Sequence, residues 1–179
     1  MQAIVVNDAN IFIDLLDIGI LNHFFQLSWE VHITDFVMFE LSRENQRDAV
    51  EIYLGNKLHV ASFEKGELCE ILGLQKVNEN NTKLSLADCS GWYYAKRKGY
   101  ILLTGDGKLS SSPVKDEVEV RSILYVFDKL VKETILAPEV TAKKLKQLQI
   151  MNPRLPKDEV EKRTKSWGGT TKRKEDTNE

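Results

Sequence analysis

The segment Leu84–Leu109, LSLADCSGWYYAKRKGYILLTGDGKL, decides the fold class. Ser85 to Lys98 reads as a helix. Ser85 with Asp88 matches a capping box, Lys96, Arg97 and Lys98 fall in the last turn where cations complement the macrodipole, and Gly99 closes it. Tyr100 to Thr104 follows at once, an apolar run of the length of a buried parallel strand, ended by Gly105-Asp106-Gly107. A helix feeding straight into a buried strand, with one acid near the helix start and another past the strand end, is a unit of an open α/β sheet. In such a sheet the carboxyl ends of parallel strands face one crevice, where acids distant in sequence can meet.

The rest of the chain repeats the alternation. Ala3 to Val6 is a short apolar strand ending at Asn7-Asp8, and Ile11, Phe12, Leu15 and Leu16 recur at helical spacing after it. A second helical stretch spans roughly Ile18 to Leu27, Val31 to Thr34 is the next strand, and Asp35 to about Leu54 reads as one long or broken helix closed by Gly55-Asn56. Leu58 to Ala61 is a short strand, Glu64 to Lys76 a helix, and Asn78 to Asn81 a loop. Val118 to Val120 is expected as the last strand, followed by helices over Ser122 to Ile135 and from Pro138, a favoured first helical position, to about Leu148. The expected fold is a three-layer α/β/α sandwich with a mainly parallel central sheet.

With 179 residues, 42% apolar and 29% charged, the chain has the size of one domain with a real core. That domain is expected over residues 1–153. Residues 154–179 carry Lys, Arg, Glu, Thr and Gly with few large apolar groups besides Leu155, Val160 and Trp167, and are expected to form a charged, disordered tail whose basic groups around Trp167 could touch RNA or a partner. Polar Asn7, Asp8 and Asn10 interrupt the opening apolar stretch, so neither a signal peptide nor a membrane span is expected there. Cys69 and Cys89 sit in apolar helical contexts, which fits a reducing, cytoplasmic setting better than a disulfide framework. A net charge of −2 argues against a protein whose whole surface wraps nucleic acid, while leaving room for a local patch such as Lys96, Arg97, Lys98 and Lys108.

The chemistry-bearing residues are acids. Asp8, Asp88 and Asp106 each have an ordinary alternative: a helix cap, a capping box, an Asp-Gly turn. Glu40 lies among Phe36, Val37, Met38, Phe39 and Leu41, where an unpaired carboxylate is costly to bury. Clustered carboxylates raise one another's pKa unless a cation neutralises them, and hard oxygen ligands favour Mg²⁺ or Mn²⁺. The histidines His23, His32 and His59 lie in unrelated segments without the ligand spacing of a zinc site.

The order strand-Asp8-helix, then Glu40, then Asp88 early in a helix, then a strand ending Thr104-Gly105-Asp106, resembles the PIN-domain family, including toxin ribonucleases of the VapC type. The resemblance covers roughly residues 1–125 and continues to about Pro156. It implies that Asp8, Glu40, Asp88 and Asp106 are the catalytic, metal-holding acids, that Asn10 and Thr104 support them, and that Mg²⁺ or Mn²⁺ is the cofactor. It further implies endoribonucleolytic cleavage of RNA, a small antitoxin that occludes the cleft, and homodimers through helical surfaces. Trp92, Tyr93 and Tyr94 lie near enough in sequence to Asp88 to stack bases. The alternative is a PIN-like module that binds RNA or protein without cutting. A haloacid-dehalogenase-like phosphotransferase is disfavoured, because it needs a second acid where this chain has Asn10.

Overall fold

The computed structural model describes residues 4–78, 83–105 and 117–168. Five strands form one sheet in the order β3-β2-β1-β4-β5, every neighbouring pair parallel: β1 Ile4–Asn7, β2 Glu30–Thr34, β3 Leu58–Ala61, β4 Ile101–Leu103 and β5 Val120–Arg121. The last strand begins two residues later than expected. Helices join them: α1 Ala9–Asp17 and α2 Leu21–Phe24 after β1, α3 Asp35–Glu40 and α4 Glu44–Glu51 after β2, and α5 Lys65–Asn78 and α6 Leu86–Lys98 after β3. Three more complete the fold: α7 Ile123–Lys132, α8 Pro138–Met151 and α9 Lys157–Gly168. Among the described residues, no helix is long and apolar enough to cross a membrane.

Side chains that alternate along the strands supply both faces of the sheet. Val5, Val31, Ile33 and Leu103 enter a large core with α1, α2, α7 and α8, in which Phe12, Phe24 and Phe25 sit with ring centroids 5.3 to 5.9 Å apart. Val6 and Leu102 face the other way, into a smaller core with Ile71 of α5 and with Cys89, Trp92 and Tyr93 of α6. Trp92 and Tyr93 are thereby buried, and Tyr94 is tied by its hydroxyl to His32 Nδ1 at 3.0 Å, so these rings are core furniture and not a base-stacking platform.

Helix α6 fixes the geometry of the site. Ser90 Oγ meets Thr34 Oγ1 at 2.7 Å, and Tyr94, one turn later, meets His32, two residues earlier on β2. The helix therefore runs antiparallel to β2, and its N-terminus, with Asp88, lies at the carboxyl edge of the sheet. Its C-terminus ends at Gly99, whose positive φ of 69° lets the chain reverse into β4. Lys96, Arg97 and Lys98 stand at this far end, about 12 to 15 Å along the axis from Asp88. Lys96 pairs with Glu117 and Arg97 with Glu67, which makes them a solvated helix end. Lys108 lies outside the described residues.

The long helix expected from Asp35 to Leu54 is broken. Thr34 caps α3 by accepting from Val37 N–H at 3.2 Å, and fully buried Leu41 draws the chain inward before α4 begins. Of the loop expected over Asn78 to Asn81, Asn78 instead ends α5, and residues 79–82 lie outside the described ones.

The expectation of a disordered tail from residue 154 is corrected over Lys157–Gly168, which is helical and packs on α8. Val160 and Thr164 are buried, and Trp167 packs against the large core, all on one helical face at i, i+4 and i+7. Arg163 clamps Asp128 of α7 with two bonds of 2.8 and 2.9 Å. Residues 169–179 are outside the described set. Val160→Ala should lower the unfolding free energy by about 1 to 2 kcal/mol in urea denaturation. An unchanged midpoint would mean that the segment contributes nothing to the fold.

Candidate metal centre

The strand order reverses direction between β1 and β4, the switch point at which ligands bind in open α/β sheets. Asp8 follows β1 there, held by its backbone N–H donating to Leu103 O at 3.0 Å. It occupies the N-cap position of α1, yet its side chain does not cap. Instead Oδ2 accepts from the Thr104 hydroxyl at 3.2 Å and from Asn10 Nδ2 at 3.4 Å. Asp8 therefore closes no regular side-chain cap, although the Asn10 backbone N–H in the first turn also acts on its carboxylate.

Asp88 does fulfil its alternative. Its Oδ2 accepts from Ser85 N–H at 2.8 Å while Ser85 Oγ accepts from Asp88 N–H at 3.0 Å, a complete capping box. That arrangement uses one carboxylate oxygen and leaves Oδ1 without a protein hydrogen bond among the described residues. Asp8, Asp88, Asn7 and Thr104 line one cavity of about 10 Å³ together with Val37, Ala87, Gly91 and Leu102, the room of one water or ion. Ala87 also lines a shallow groove with Glu40, Phe36 and Phe39, which places Glu40 at the mouth of the same cleft.

Electrostatics tie the three acids together. Burial pushes the Asp8 carboxyl above the usual range and Asp88 pushes it further, against the hydrogen bonds from Asn10 and Thr104. Desolvation likewise raises Glu40, followed by Asp8 and Asp88, with a hydrogen bond to Ser85 pulling back. Every charged neighbour that shifts either carboxyl is another acid. Asp8, Glu40 and Asp88 form no ion pair with Lys or Arg among the described residues. The Cys89 thiol beside them is pushed up to about 11 by burial and by Asp88, which keeps it protonated and unreactive.

Asn7 was not anticipated as a site residue. It is fully buried, its Nδ2 donates to Asp8 O at 3.0 Å, and its Oδ1 has no partner. A buried acceptor without a donor is costly, and its amide oxygen adds to a lining of carboxylates. This all-oxygen donor set with uncompensated negative charge fits a hard divalent cation. Asp106 lies outside the described residues.

A family model described as a PIN domain matches residues 4–169. The chain belongs to the PIN-domain family. The match takes in α9, so the PIN domain here includes the helix that composition alone reads as tail. No curated protein matches the chain. Among solved structures, a chain in the crystal structure of VapBC2 from Rickettsia felis bound to a DNA fragment from their promoter is similar at 15% identity. The likeness covers 67% of this chain and 98% of that one, with a TM-score of 0.48.

The raised carboxyls give the metal-free PIN domain a characteristic pH response. Asp8 and Glu40 bind protons more tightly folded than unfolded, so their contribution is most favourable below the raised values. It is lost as pH rises through them toward neutrality. Thermal stability without divalent ions should therefore fall as pH climbs from about 4, the ordinary carboxylate value. Asp8→Asn should flatten that slope and stabilise the metal-free protein at neutral pH by about 1 kcal/mol. Scanning calorimetry in chelator checks both, and a slope unchanged by the substitution would refute the electrostatic account.

Proposed function

We propose that this PIN domain is a Mg²⁺- or Mn²⁺-dependent endoribonuclease, the toxin half of a toxin–antitoxin pair acting in the cytoplasm. The observation that carries the reading is that Asp8 and Asp88 line one cavity, that Glu40 is electrostatically coupled to both, and that among the described residues no cationic side chain pairs with them. These acids would hold the ion, with Asp106 completing the set. An ion held there would supply Lewis-acid stabilisation of the phosphodiester and a more acidic water, with 5′-phosphate and 3′-hydroxyl ends as the expected products.

The protein's own groups supply the rest. Thr104 and Asn10 fix the Asp8 carboxylate, and the Ser85 N–H fixes that of Asp88, so two donors enter the cleft with set orientations. Glu40, whose carboxyl pKa is raised by burial and the neighbouring acids, would orient the attacking water and accept its proton. Thr104 and Gly105 also border a groove of about 520 Å³ of mixed polar and apolar lining that includes Arg121, Arg154 and Arg163. Arg163 is committed to Asp128 and Glu159 and Arg121 to Glu119, which leaves Arg154 better disposed toward substrate phosphates. Single-stranded or looped RNA suits such a cleft, because its backbone bends into places a rigid duplex does not reach.

Partners follow from surface chemistry. Phe39, 80% exposed beside Glu40, offers an apolar anchor at the cleft mouth for an antitoxin segment that would block substrate. Exposed Val140, Ile150 and Met151 on α8 supply a helical surface for a homodimer.

RNA cleavage should require Mg²⁺ or Mn²⁺ and fall by about 10²-fold or more in Asp8→Asn and Asp88→Asn. Thr104→Val, which removes only a supporting bond, should cost about 10-fold. Gel assays on a structured RNA measure all three. Cleavage that survives both Asp substitutions or persists in chelator would overturn the proposal, and binding without cleavage in the wild type would favour a non-cutting module.

A further inference from the structure

We propose a second metal site, for Zn²⁺, formed by Glu30, His32 and His59 on the α6 side of β2 and β3. Parallel pairing sets His32 directly against His59 in register, with ring centroids 4.8 Å apart. Glu30, two residues before His32 and so on the same face of β2, brings its Oε2 to 3.9 Å from His32 Nε2 and 4.0 Å from His59 Nε2. One ligand atom from each residue lies within 4.8 Å of the others. Tetrahedral ligands at zinc distances are about 3.4 Å apart, so small side-chain rotations close the set. The zinc-spacing argument from sequence fails here because the register of β2 and β3, and not proximity along the chain, brings the imidazoles together.

The Tyr94 hydroxyl is within reach of the second ring nitrogen of His32. His32 Nδ1 lies 3.0 Å from the Tyr94 hydroxyl, and if it carries the proton the lone pair sits on Nε2. That atom is buried and has no hydrogen-bond partner, although the Glu30 carboxylate stands opposite it. Burial and neighbouring His59 hold His32 in its neutral form; Lys98 acts in the same direction, and Glu30 opposes them. Two neutral imidazoles and one carboxylate are a donor set that zinc takes with a fourth position open to water, and the half-exposed His59 and Glu30 leave that position reachable. The hard cations suited to the acid cleft prefer oxygen, so the two sites differ in chemistry. They also differ in place: Glu30 begins β2 and Thr34 ends it at the acid edge, about 13 Å away. A metal here would staple edge strand β3 to its neighbour.

The test uses the whole chain, loaded with Zn²⁺ in excess Mg²⁺, dialysed, and assayed for bound zinc by mass spectrometry, with Co²⁺ as a spectroscopic probe. Wild type and Asp8→Asn should each retain one equivalent, show the intense visible bands of four-coordinate Co²⁺, and melt several degrees higher with Zn²⁺. His59→Ala and Glu30→Gln, both at half-exposed positions, should lose the equivalent and the thermal shift while remaining folded by circular dichroism. Zinc absent from the wild type, retained in His59→Ala, or lost in Asp8→Asn would each overturn the proposal.

Discussion

Asp8 sits where a charge is hard to keep: 7% exposed, at the end of a central strand, with Asp88 as the charged neighbour that shifts it among the described residues. Most of the local architecture is arranged around that position. The backbone of β4 anchors its amide, Thr104 and Asn10 hold its carboxylate, and α6 presents Asp88 from above. A protein that needed only a capped helix would use a carboxylate at this place far less expensively. The folded state without a counterion is consequently under electrostatic load, which a divalent ion held by the proposed ligands would relieve.

The Thr34–Ser90 contact is the quieter support. Thr34 caps α3 and also meets Ser90, whose hydroxyl donates to Ala87 O one turn back toward Asp88. Three elements, β2, α3 and α6, are thus joined by two buried hydroxyls. Glu40 at the end of α3 and Asp88 at the start of α6 are positioned through this joint, so the cleft is built on paired secondary structure and not on loops.

Local patterns made the strands, the capping box and the Gly99 helix end readable in advance, because each depends on residues close in sequence. What escaped depends on tertiary placement. Val160, Thr164 and Trp167 make a usable apolar face only because α8 lies beside them, and their charged surroundings hid it. Trp92 and Tyr93 could be placed beside Asp88 in sequence, but helical rotation turns them into the core. Asn7 looked like a polar interruption of a strand end, and the unpartnered oxygen that makes it notable exists only once the cleft closes. His32 and His59 meet through strand register, which no spacing rule along the chain encodes.

Only Gly99 and Tyr100 lie between α6 and β4, so the helix bearing Asp88 and the strand delivering Thr104 are joined by an inextensible link. An inserted residue anywhere from Asp88 to Gly99 would swing the carboxylate about 100° around the helix axis. The intervening block is therefore constrained in length as strictly as in composition, and its descendants can drift in sequence far more freely than they can gain or shed a single position.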